Sequence, residues 1–79
     1  MQHQKVNFLT AIKLLKEHKG DCCARLQTNS GLVEVEINYA MALLEYVDGE
    51  FIGLYAPTID EIFSEDWEVV NLVNKGKRA

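Results

Sequence analysis

The chain holds little that could staple it together. It has two cysteines, one proline and two histidines. The cysteines, Cys22 and Cys23, are neighbours, and a bridge between them would need a strained small ring. They are expected as reduced thiols. In an extended segment their side chains point to opposite faces, so one fills core space and the other is exposed or sits at an interface. Neither His3 nor His18 stands at zinc-ligand spacing from the thiols, and no second cysteine pair completes four ligands. No metal site and no cofactor are expected. Residues Met1 to Lys5 are polar and do not read as a secretory signal. No apolar run approaches the roughly 18 residues of a membrane span. A cytoplasmic protein without membrane contact is the resulting expectation.

Cations are also scarce. Eight Lys and Arg stand against twelve Asp and Glu, for a formal net charge of −4, whereas binding a nucleic acid polymer needs a Lys/Arg face that releases counterions. The basic run Lys75 to Arg78 reads as a solubilising tail. Seventy-nine residues make a single domain over 1–79, with its core over about 6–72 and a flexible basic tail over 73–79. A chain of this size buries only about 60–65% of its extended surface on folding. Its core must be thin. With disulfides and metals set aside, self-association into a homo-oligomer is the remaining way to supplement it.

What is present reads clearly along the chain. Asn7 to His18 places Phe8, Ala11, Ile12, Leu14 and Leu15 on one side and Lys13, Lys16 and Glu17 on the other, the signature of an amphipathic helix. Asn7 is its expected N-cap, with Lys19-Gly20 closing it. Asp21–Leu26 is extended, Thr28–Gly31 is a turn, and Leu32–Ile37 alternates at period two, which predicts a hairpin. Val33, Val35 and Ile37 are expected to face the helix, leaving Glu34 and Glu36 on a face that is solvated or meets a partner. Met41–Val47 and Glu50–Tyr55, joined by Asp48-Gly49, predict a second hairpin. Pro57 stops pairing, and Thr58 with Glu61 three residues on has the spacing of a capping box for a short helical turn through Phe63 or Ser64. Trp67–Val70 closes as a strand. The fold class expected is α+β: an N-terminal helix on an antiparallel sheet of about four to five strands, with a short helical turn before the last.

Chemistry is sparse. Ser30 and Ser64 lack a nucleophile elbow, and His18 at a helix end is explained by the dipole. No base and nucleophile stand out as a pair, so an enzyme is not expected. The carboxylates Asp60, Glu61, Glu65 and Asp66 decorate the start and outside of a short helix and lack the spacing of a dedicated cation loop. Glycine-rich phosphate cradles are absent. An anion could still be met by the helix terminus at Thr58–Glu61 and by Arg25, which reads equally well as a surface salt-bridge residue. Of Phe51, Tyr55, Phe63 and Trp67, most must be core, Trp67 first. Tyr55, beside the Ala-Pro break with its hydroxyl kept wet, suits a pocket wall.

The segment Tyr55-Ala-Pro57-Thr58-Ile-Asp-Glu61-Ile-Phe-Ser64-Glu-Asp66-Trp67-Glu68 resembles a pattern close to W-x-P-S-x-x-D-x-x-A-x-D-W-E. It lies downstream of Asn7-Phe8, Ala11, Leu14, Leu15, Lys19-Gly20 and Arg25, which fit an opening of the kind NF..A...L..GK followed by a strand with an arginine. Together, over most of the chain, these features resemble a phage-associated family of small domains, the type-two Thoeris anti-defence proteins. The Asp66-Trp67-Glu68 triplet is the most specific part. The resemblance implies a binding protein that sequesters a cyclic ADP-ribose-type nucleotide without cleaving it. It implies a homo-oligomer, dimer or tetramer, with pockets between subunits, in the host bacterial cytoplasm. Carried over by position, Arg25 would meet phosphate and Tyr55 would stand where the family has a tryptophan near the pocket. Thr58 with Glu61 would shape the helix end that hydrogen-bonds the ligand, and Asp66 would complete the ligand-binding set. Where the family has Arg-x-x-Trp, this chain reads Arg25-Leu26-Gln27-Thr28. The competing reading is an acidic interaction module, in which Glu34, Glu36 and the Asp60–Asp66 cluster bind a basic protein surface.

Overall fold

A computed structural model describes residues 5–18 and 20–71. Lys19, His3 and the Lys75–Arg78 run lie outside the described residues. Eight elements follow in order: β1 (Lys5–Val6), α1 (Phe8–Glu17), β2 (Cys22–Thr28), β3 (Gly31–Ile37), β4 (Leu43–Val47), β5 (Glu50–Leu54), α2 (Ile59–Phe63) and β6 (Trp67–Asn71). The fold is α+β, as the helix and strand periodicities predict, but with six strands in one antiparallel sheet ordered β1-β6-β2-β3-β4-β5. The additional strand is β1, too short to carry a period and formed only because β6 offers it an edge: Lys5 pairs with Glu68 and Val6 with Trp67.

The helix begins where its cap is written. Asn7 Oδ1 accepts the Thr10 N–H at 2.9 Å, satisfying one of the donors left over at a helix start. Ala11 and Leu15, one turn apart, are fully buried. They meet the sheet face that carries Ala24 and Leu26 from β2 and Val33, Val35 and Ile37 from β3. The register pairs Ala24 with Val35 and Leu26 with Val33, so the residues expected to face the helix do so. Cys23 is buried and Cys22 half-buried, neither of them in a disulfide, on opposite faces as alternation requires. Burial, then the Asp21 charge, pushes the Cys22 thiol up, away from the thiolate that reactive cysteines need.

Turn chemistry sets the strand ends. Asp48 and Gly49 both take positive φ, 50° and 88°, the backbone that the tightest hairpins demand. The strand expected from Met41 starts instead at Leu43. Asn38 Oδ1 accepts the N–H groups of Ala40 and Ala42 at 2.9 and 3.0 Å, and Met41 is held at φ 67° within that turn.

Two expectations are corrected by packing. Glu34, expected on a solvated or partner-facing side, is only 5% exposed. β3 is an inner strand, so Arg25 and Tyr46 flank Glu34 from its two neighbours. Phe51 and Phe63, grouped among aromatics that should mostly be core, are 60% and 75% exposed, because β5 is a sheet edge and α2 buries none of its residues. Trp67 is in the core as expected, 1% exposed, with Phe8 and Tyr55 rings at 5.7 and 6.4 Å.

The packing separates two leucines of one helix. Leu15→Ala, at full burial, is expected to cost about 2–5 kcal/mol, whereas Leu9→Ala, at 76% exposure, should stay within about 0.5 kcal/mol of the parent. Urea unfolding followed by Trp67 fluorescence measures both. Equal costs would mean that α1 docks by another face.

Candidate functional site

After β5 the chain crosses the helix side of the sheet to reach β6, and one residue fastens that crossing. Thr58 is the N-cap of α2, its Oγ1 accepting the Glu61 N–H at 3.2 Å, while Glu61 Oε1 accepts the Thr58 N–H at 3.2 Å. This is the reciprocal box that the Thr58–Glu61 spacing predicts. The same Oε1 accepts the Tyr55 hydroxyl at 2.8 Å, and the Glu61 carbonyl accepts Trp67 Nε1–H at 2.9 Å. The Ser64 N–H reaches that carbonyl at 3.4 Å, and the Asp66 N–H donates to Ser64 Oγ at 3.1 Å.

The crossing forms one wall of a cavity of about 530 Å³. Its apolar base is Leu26, Val33 and Val47. On one side stands the β2–β3 turn, from Gln27 to Ser30; on the other are Thr58, Asp60, Glu61, Ser64 and Asp66, with Glu45 from β4. None of these lining residues is a lysine, arginine or histidine, so the surroundings are carboxylates, hydroxyls and amides. Such groups accept hydrogen bonds from sugar hydroxyls or ring N–H groups. The four carboxylates among them repel bare phosphate.

Arg25 lies on the opposite sheet face. Its register partners Glu34 and Glu68 share that face, and Lys5 pairs beyond Glu68. The result is a row of alternating charge across four strands. Arg25 Nε is 3.8 Å from Glu34 Oε2, an ion pair too long to be a hydrogen bond, and this nitrogen is buried with no hydrogen-bond acceptor. Arg25 and Lys5 line a smaller depression of about 190 Å³ with Leu32 and Glu68. Gln27 and Asp66 line both concavities, joining them around the end of the sheet.

The expected site residues therefore divide. Thr58, Glu61 and Asp66 converge on the larger cavity. Arg25 meets only Asp66 among them, at the smaller one. Tyr55 lines neither: instead of a wet hydroxyl on a pocket wall, it is 8% exposed, packed on Phe8 and Trp67, with its hydroxyl held by Glu61. Burial first, then the hydrogen bond to Glu61 and the charges of Glu61 and Glu45, push the Tyr55 phenol up. It thus stays a donor to Glu61.

Glu45 is the residue that motif reading missed. It occupies the inward row of β4 between Leu43 and Val47, opposite Val35 and Gly53. An acid in an otherwise apolar alternation was a visible sign of it. Burial, then the neighbouring Glu61 charge, raises its pKa above the ordinary 4.5. Among the described residues no group of three or more His, Cys, Asp or Glu is arranged to hold a metal ion, and no helix is long and apolar enough to cross a membrane. Neither a family model, nor a curated protein, nor a solved structure matches the chain.

Two outcomes follow from Glu61 and Glu45. Glu61→Ala should cost about 1–3 kcal/mol, because it strands the buried Tyr55 hydroxyl; in a Tyr55→Phe background the same change should cost less, measured as a double-mutant cycle by urea unfolding. For Glu45 the folded-state pKa is raised, so its proton is held more tightly in the folded than in the unfolded chain. The stability it contributes is present below 4.5, the unperturbed value, and is lost as pH rises through the folded value. Glu45→Gln should then be more stable than the parent at neutral pH, with the difference shrinking toward pH 4. A difference that does not change with pH would remove Glu45 as the cause.

Proposed function

We propose that the chain is a non-catalytic phage or prophage anti-defence domain that sequesters a cyclic nucleotide signal of the cyclic ADP-ribose type and releases it intact. It acts in the host bacterial cytoplasm as a homo-oligomer. The observation that carries the reading is the pairing of two unlike concavities across Gln27 and Asp66. One, lined by carboxylates and hydroxyls, suits ribose hydroxyls, which Asp and Glu side chains commonly bind. The other presents Arg25 and Lys5, the side chains that meet phosphate. A nucleotide carries both kinds of group. The likeness of residues 55–68 to the anti-defence pattern supplies the ligand class. Thr58, Glu61 and Asp66 would contact the ligand directly, and Tyr55 would act by holding Glu61 in place.

One observation favours a second reading. The larger cavity has four carboxylates, Glu45, Asp60, Glu61 and Asp66, and no cation in its lining, which suits a basic protein surface. Glu34, buried beside Arg25, would take no part in such an interface.

Titration calorimetry with cyclic ADP-ribose isomers and cyclic oligonucleotides separates the two, with chromatography of the ligand recovered after heat release. Binding with intact recovery is expected. Arg25→Ala should weaken it on the order of tenfold or more, the equivalent of losing one charge-assisted hydrogen bond at about 1.5–3 kcal/mol. Absence of binding to every nucleotide would remove the proposal, and a cleaved product would make the protein an enzyme. The acidic-module reading requires instead a partner whose binding falls steeply with salt and ignores Arg25→Ala.

A further inference from the structure

The sheet ends in two unlike edges. Among the described residues β1 is two residues long and carries Lys5, whereas β5 is five residues long and has no lysine or proline. Shortness, lysine and proline are common devices that keep an edge from pairing. β5 has another device, a bulge: Glu45 lies opposite Gly53 and Tyr46 opposite Phe51, which makes Ile52 an extra residue. That bulge bears on which partner fits.

Residues of an antiparallel strand turn their N–H and C=O alternately toward one side and the other. The Tyr55 N–H donates to the Leu43 carbonyl at 2.9 Å, so Glu45/Gly53 and Val47/Glu50 belong with that pair to the set facing inward. Phe51 and Leu54, opposite Tyr46 and Leu44, belong to the alternate set and direct their backbone groups to the open side. With Ile52 inserted, these outward positions stand three residues apart, where an unbulged strand spaces them at two. A regular strand in register with one is out of phase with the other.

A second β5 running antiparallel has the same spacing. We infer that this edge pairs with β5 of a second copy of the chain about a two-fold axis, with Phe51 opposite the partner's Leu54 and Ile52 opposite the partner's Gly53. Side chains agree with this register. Phe51, Ile52 and Leu54 are 60%, 56% and 73% exposed. A Cβ placed on Gly53 would have nothing within 4 Å, which leaves room for the partner's Ile52. Phe51 already holds Tyr46 with ring centroids at 5.4 Å, and the partner's Leu54 extends that apolar strip, a favourable cross-strand pairing. Glu50, the only charged residue of β5, falls opposite the partner's Tyr55 and not opposite its own counterpart, so no like charges meet. A five-residue edge buries less than the roughly 800 Å² per partner of a standard interface. The dimer therefore exchanges with monomer at micromolar concentration.

The inference concerns the surface of self-association and is tested without nucleotide, so it stands or falls apart from the ligand reading. Sedimentation velocity of the full chain across the micromolar range should show a monomer–dimer equilibrium. The doubly substituted Phe51→Lys, Leu54→Lys chain should remain monomeric while keeping the parent circular dichroism, since both side chains are exposed. Mild oxidation of a Phe51→Cys, Leu54→Cys chain should give a disulfide-linked dimer, and either cysteine alone should not exceed the level set by native Cys22 and Cys23. A parent that is monomeric throughout, association that survives the two lysines, or a single cysteine that cross-links as well as the pair would each overturn it.

Discussion

The Glu61 side chain is the interaction on which the rest of this small fold depends. A five-residue helix cannot hold itself together in water, because nucleation is unfavourable and too few bonds follow it. What holds α2 is its cap and its attachments to the sheet. Glu61 Oε1 accepts both the Thr58 N–H and the Tyr55 hydroxyl, and the Glu61 carbonyl accepts Trp67 Nε1–H. The two aromatic anchors lie at opposite ends of the crossing, Tyr55 just after β5 and Trp67 at the start of β6. One residue thereby closes the chain over the sheet. Tyr55 and Trp67 also form part of the core with Phe8 beside them, so the hydrogen bonds and the apolar burial support each other.

That arrangement was half legible in the sequence. The capping box could be read from the Thr58–Glu61 spacing because both partners are local and the motif is set by backbone geometry. The third bond, to Tyr55, could not be read, since its existence depends on how the crossing packs. Tyr55 was therefore expected as a wet pocket wall, and it is a core residue. The strands show the same division. Period-two alternation identified Val33, Val35 and Ile37 as one face, but alternation says nothing about strand order, and only the placement of β3 between β2 and β4 buries Glu34. In the same way Arg25 was legible as the one arginine of the folded body. That it faces away from the cavity walled by α2 depends on register, and register is tertiary information.

Charge distribution gives the site its character. An acidic chain has to place its carboxylates somewhere, and the default is a solvated surface. Here one of them, Glu45, stands in an inward-facing row where its neighbours are Leu43 and Val47, and burial, then the nearby Glu61 charge, raises its pKa. A local rule broken without an evident structural gain is more often found at a functional position than elsewhere. Asp60, by contrast, sits in the first turn of α2, where the helix dipole favours a negative charge whether or not a ligand is present.

The separation of cation from cavity limits what a ligand could be under the proposed function. Because Lys5 and Arg25 lie on one sheet face and the base of the larger cavity on the other, a small phosphate alone would satisfy only the first. A neutral nucleoside would satisfy only the second. A molecule that uses both has to pass the end of the sheet at Gln27 and Asp66, and at that passage a carboxylate faces it. Phosphate cannot rest against Asp66 without cost, so the anionic part must reach beyond it to the Arg25 side, and the hydroxylated part must remain within. A ligand whose charge is confined to one pyrophosphate, as in the cyclic ADP-ribose type, meets that demand by setting the pyrophosphate toward Arg25 and a ribose within the cavity. One with charge distributed along its whole length does not, which makes short nucleotides with few phosphates a better match to this acidic surface than nucleic acid polymers.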